Sequence, residues 1–186
     1  MSITRDEATQ ALGEIDAAAG RATEFKTYAR MAPFLMIWGL VWMVCDLSTQ
    51  FAPQWGLAWP IGVGAGTLAS IVAGFSLPKP DATPEQRARS WRHMVSWLLV
   101  IAFVFCLSLV IPLSGLKETH SLFGLVFGFI YLVVGIWTGW RMAALGVALI
   151  ALTLIGFYAI DAWYSLYMGL VSGGALILGG LWLRRI

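Results

Sequence analysis

The stretch Trp59–Leu77, WPIGVGAGTLASIVAGFSL, sets Gly62, Gly66, Ser70 and Gly74 at every fourth position. Residues four apart share one face of a helix. In water each glycine would weaken such a helix by about 1 kcal/mol. In lipid the backbone must bond to itself, and a glycine stripe lets a second helix approach closely. The stretch therefore reads as a transmembrane packing helix. The same spacing returns at Gly124 and Gly128 and at Gly169 and Gly173, each within another apolar run. The chain thus reads as three copies of one hairpin, each with a glycine-striped returning helix.

Composition agrees with a membrane domain. The 186 residues are 59% hydrophobic and 12% charged, with a mean hydropathy of +0.78, whereas soluble domains are about 45 to 50% apolar. A membrane-spanning helix needs about 20 mostly apolar residues. Six stretches meet that length: about 32–51, 57–77, 93–113, 121–139, 142–160 and 163–183. The predicted fold is all-α: a polytopic domain over residues 31–186 with six transmembrane helices as three hairpins, preceded by a cytoplasmic amphipathic helix in residues 1–30. A cleavable signal peptide is not expected, because some thirty polar and charged residues precede a first apolar run of full membrane length.

The charges orient the spans. Arg5, Arg21, Lys26, Arg30, Lys79, Arg87, Arg89, Arg92, Arg141, Arg184 and Arg185 fall on one side of the six stretches, and Lys117 alone falls on the other. By the positive-inside rule both termini are cytoplasmic. In the cytoplasmic loop 78–92, Arg87, Arg89 and Arg92 are expected to lie on anionic lipid, each worth about 1 kcal/mol near the surface. The basic residues are accounted for by topology and headgroups, and no basic patch on a soluble fold points to nucleic acid.

Ahead of the first span, Thr4 and Glu7 have the capping-box spacing. Ala8, Ala11, Leu12, Ile15, Ala18, Ala22, Phe25 and Ala29 then recur at helical intervals. Such a face needs an apolar cover. The early half is acidic, with Asp6, Glu7, Glu14 and Asp16, and only the late half carries Arg21, Lys26 and Arg30. The early half therefore suits a cytoplasmic protein partner better than a membrane surface. A glycine stripe left free in the bundle would serve a homo-oligomer contact.

The segments GLVWMVCDLSTQFAP with VGAGTLASIVAGF, and VFCLSLVIPL with FGLVFGFIYLVVG, resemble the HdeD-type family of small six-helix bacterial inner-membrane proteins. The resemblance runs over about residues 32–184 and lies in glycine and proline placement. It implies a multi-pass protein of the bacterial inner membrane, and it carries over no functional residue.

The inventory for chemistry is short. The chain contains no HExxH, GxSxG or phosphate-binding loop, and its two histidines, His93 and His120, fall on opposite predicted sides. A bis-histidine haem is thereby disfavoured, and no catalytic residue is assigned. Cys45 and Cys106 lie inside spans without a metal or redox spacing. Asp46 is the residue that most needs a partner, since a carboxylate a turn and a half inside a span must find water, a counter-charge or a proton. Trp38 and Trp42 precede it at four-residue steps, so the three are expected on one face, walling a small cavity with Asp46 as its ligand or proton site. Glu118, His120 and Asp161 are outer-side candidates for a divalent cation; no metal centre is assigned on spacing.

Three local boundaries are also expected. Thr119 or Ser121 would cap the fourth span, Gly135 or Gly139 would make the turn into the fifth, and Asp161 would cap the sixth. The function that best fits is a non-catalytic scaffold, sensor or accessory subunit working through its cytoplasmic face. The alternative is a small proton- or cation-coupled transporter using Asp46.

Overall fold

The computed structural model describes residues 4–77, 95, 99–100, 102–104, 106–107 and 115–185. The expected third span, 93–113, and the loop 78–92 with Arg87, Arg89 and Arg92 lie for the most part outside these residues. The described residues are helical and contain no strand, and five helices among them are long and apolar enough to cross a membrane. They are α1, Arg5–Phe51; α2, Ala58–Ser76; α3, Leu116–Thr138; α4, Trp140–Ala159; and α5, Tyr164–Arg184.

Helix α1 does not stop at the expected boundary near residue 30. It runs for 47 residues with Pro33 inside it, a length of about 70 Å against a hydrocarbon core of about 30 Å. Pro33 offers no N–H to the carbonyl four residues earlier, yet the helix passes through. Charged residues marked a change of surroundings rather than an end of the helix. Its first half is rich in alanine, the strongest helix former. Thr9, Thr23 and Thr27 return their hydroxyls to carbonyls one turn back, and Gln10 bonds Glu14.

Glycine faces set the packing, and each pairing is antiparallel. Along α2, a methyl placed on Gly62 would meet Cys45, on Gly66 Val41, and on Gly74 Phe34, so the stripe runs down α1. On α3, Gly124 faces Thr153 and Gly128 faces Ile150 and the Gly146 carbonyl of α4. On α5, Gly169 lies against Asp46, Gly173 against the Gly39 carbonyl and Gly180 against the Ala32 carbonyl of α1. Such close approaches yield dispersion contact that a side chain would block.

Among the described residues the helices do not all pair most closely with their neighbours in sequence. The most extensive pairings are α3 with α4 and α1 with α5, while α4 and α5, neighbours in sequence, touch much less. Among the described helices the bundle therefore has two halves, α1–α2–α5 and α3–α4. Tyr28, Trp42, Met142, Leu149, Met168 and Leu183 fill the core where they meet. The turn from α3 to α4 uses Gly139, at φ 127°, while Gly135 stays helical and packs directly on the backbone of Ala143.

Candidate functional site

Asp46 lies in the last two turns of α1, and His120 lies in the second turn of α3. That helix begins at Leu116, five residues before the expected start, with Gly115 at the N-cap. The earlier start carries His120 off the loop and into the bundle. Thr119 and Ser121 accordingly do not cap it; their hydroxyls bond the carbonyls of Gly115 and Lys117 within the helix.

The result is a carboxylate and an imidazole facing each other between the two halves. His120 Nδ1 stands 2.9 Å from Asp46 Oδ1. Asp46 is 1% exposed and His120 7%. The two atoms are at ion-pair distance but off the line a hydrogen bond needs, and both are buried without a hydrogen-bond partner. A buried polar atom left in that state is costly.

The walls of the pair come from three elements. The Trp59 ring of α2 lies over His120 with centroids 5.0 Å apart, held by its indole N–H donating to Thr49 Oγ1 at 3.1 Å. Thr49 in turn donates to the Cys45 carbonyl, and the Cys45 thiol donates to the Ala58 carbonyl. On the other side α5 unwinds from α into π-helix over Met168–Gly173. That segment presents Gly169 to the Asp46 Cβ and the backbone of Met43 and Leu47, so α5 approaches α1 closely at the root of the acid's side chain. Single π turns inside α-helices often mark functional positions.

The two tryptophans expected beside Asp46 part company. Residues four apart advance 400° around a helix, so each step turns the direction by about 40°. Trp38 is half-buried and packs beside Gly66 of α2. Trp42 is buried and meets Phe127 of α3 edge to face at 5.9 Å. Asp46 finds His120. Among the described residues the acid's neighbour is thus an imidazole. A shallow groove does open nearby, between α3 and α4, lined by Ser121, Leu125, Thr153 and Phe157 among others.

The expected trio of outer ligands is likewise dispersed. Asp161 is exposed, pairs with Lys117 and does not cap α5, whose N-cap is Trp163 with no side-chain bond. Lys117 also lies over the Phe157 and Tyr164 rings. Glu118 turns back toward Gly115. Among the described residues, no three of His, Cys, Asp and Glu are placed to hold a metal ion.

Two further bonds tie the halves at this end. Ser121 and Tyr164 share a hydrogen bond of 2.6 Å, and Tyr167 donates to the Leu152 carbonyl at 2.9 Å. Sequence reasoning missed His120 as the partner of Asp46. The usable signal was that the two residues fall at the same predicted side. No protein-family model matches the chain, and no curated protein or solved structure is similar to it.

Proposed function

We propose that this is a non-catalytic inner-membrane protein that serves as an accessory or sensor subunit, binding a partner through a cytoplasmic arm formed by the first half of α1. One observation carries the reading: every described side chain from Thr4 to Thr23 is exposed, in an unbroken helix that continues into the core. Leu12 and Ile15 stand on that arm at 63% and 62% exposure. Apolar side chains one turn apart on a polar helix are what a partner groove or helix buries. With six spans, the eleven basic residues that fall on the arm's side support a cytoplasmic arm under the positive-inside rule. The acidic first turns keep it off an anionic membrane surface.

The test is deletion of residues 1–23 together with a photo-crosslinking residue placed at Ile15 in the full chain. Full-length protein should give a discrete crosslinked product from the membrane fraction, and the truncated protein should insert normally yet lose its co-purifying partner. Identical partners with and without the arm would remove the proposal.

A further inference from the structure

The geometry points to a binding site for exchangeable protons formed by Asp46 and His120, in the seam between the two halves of the bundle. The inference does not depend on the arm having a partner. It rests on two titratable side chains from different helices, each more than nine-tenths buried, each with a polar atom that lacks a hydrogen-bond partner and stands 2.9 Å from the other's. Alone in a membrane interior, either ion would be expensive. Together they are neutral whenever they hold one proton between them, as carboxylate with imidazolium or as carboxylic acid with imidazole. Taking one more proton from solution makes a new O–H or N–H bond and leaves the pair with one positive charge. Losing the shared one leaves one negative charge.

The surroundings favour a proton over a metal ion. The donor set offers one carboxylate and one imidazole, and the nearby hydroxyl of Thr49 is already engaged with Trp59 and Cys45. The Trp59 ring packs against the imidazole at 5.0 Å between centroids, tilted by 52°, and offers no lone pair to a metal ion. Among the described residues the other ionisable neighbours are each engaged elsewhere or exposed. On α1 it is Cys45, which donates to the Ala58 carbonyl. On α3, Lys117 is paired with Asp161 and Glu118 turns to Gly115. On α5, Tyr164 is bonded to Ser121 and Tyr167 to Leu152. Helix α2 contains no ionisable residue, and those of α4 are Arg141 in its first turn and Tyr158, which is 83% exposed.

The position gives the proton something to act on. Asp46 and His120 join α1 to α3, whose direct contact is otherwise slight. A change in proton number alters the attraction across the seam.

Because the chain has two histidines, a His93→Gln background leaves one imidazole, and its ring can be followed by NMR in isotopically labelled protein in nanodiscs. The His120 signal should move with pH between about 4 and 9. In Asp46→Asn the pH of that movement should differ from the parent's by at least one unit, about a tenfold change in proton affinity. If Asp46→Asn does not fold, the exchange Asp46→His with His120→Asp should restore a titrating ring at position 46. A ring signal that stays fixed across the whole range in the parent would overturn the proposal, as would a midpoint indifferent to Asp46. A midpoint displaced by tenfold more NaCl at constant ionic strength would overturn it too, by making the occupant a cation.

Discussion

Gly139 is the residue on which the α3–α4 turn depends. Its φ of 127° and ψ of 156° lie in a region that side chains avoid, and a methyl there would run into the Tyr28 hydroxyl and the Glu24 carboxylate. Both terms act against substitution. Gly139→Ala should therefore lower stability by about 1 to 3 kcal/mol, read as a reduced melting temperature in detergent. A melting temperature equal to the parent's would mean that the turn can change its backbone path. The choice between Gly135 and Gly139 was open in the sequence, since either glycine could turn the chain between two apolar runs. Packing decides it: Gly135 is needed in the helix, where only a hydrogen fits against Ala143. His120 was illegible for a related reason. A shift of the α3 start by little more than one turn moves the ring from loop to seam, and no residue type in SGLKETHS marks that start unambiguously.

At the scale of elements, glycine spacing was a good guide to the presence of close-packed faces and a poor guide to which helix would fill them. The stripe on α3 takes α4, its successor, while that on α5 passes over its predecessor and packs on α1. Connectivity limits the reach of a helix but does not choose its neighbour: the turn between α4 and α5 is short, and they are still not each other's main partner. Helix α1 serves both α2 and α5 because it presents bulky side chains such as Val41 and Met43 beside Gly39, giving two glycine faces something to receive. The strength of each contact depends on what stands opposite. At Gly128 an added methyl would lie 2.6 Å from Ile150 Cγ1 and 3.1 Å from backbone atoms of Gly146 and Ile150, whereas at Gly64 nothing lies within 4 Å. Gly128→Ala should thus destabilise the protein by about 1 to 3 kcal/mol, and Gly64→Ala should stay within about 1 kcal/mol of the parent. Thermal melts of the two variants in one detergent give the comparison. Equal effects at both sites would show that the α3–α4 interface yields more readily than its backbone contacts imply.

For the whole molecule, the division that matters falls inside α1 rather than at residue 30. Composition placed the boundary where charge gives way to apolar residues. Burial places it earlier: Glu24 and Thr27 are half-buried, and Tyr28 is 1% exposed within the core, its hydroxyl close to where a side chain at Gly139 would begin. Residues 24–30 are thus part of the bundle although they read as part of the arm. Two truncations separate these descriptions. Among the described side chains, removing residues 1–23 takes away only exposed ones, and it leaves Glu24 at the new helix start, where a carboxylate suits the helix dipole. Its melting temperature should match the parent's. Removing residues 1–30 also takes Tyr28, and the loss of a large buried aromatic side chain costs about 3 to 5 kcal/mol. The Gly139 turn, which packs on Tyr28 and Glu24, would lose its support at the same time. The longer truncation should therefore melt well below the shorter one even though it removes only seven more residues. If the two melt together, Tyr28 contributes nothing to the bundle and α1 divides where its composition changes.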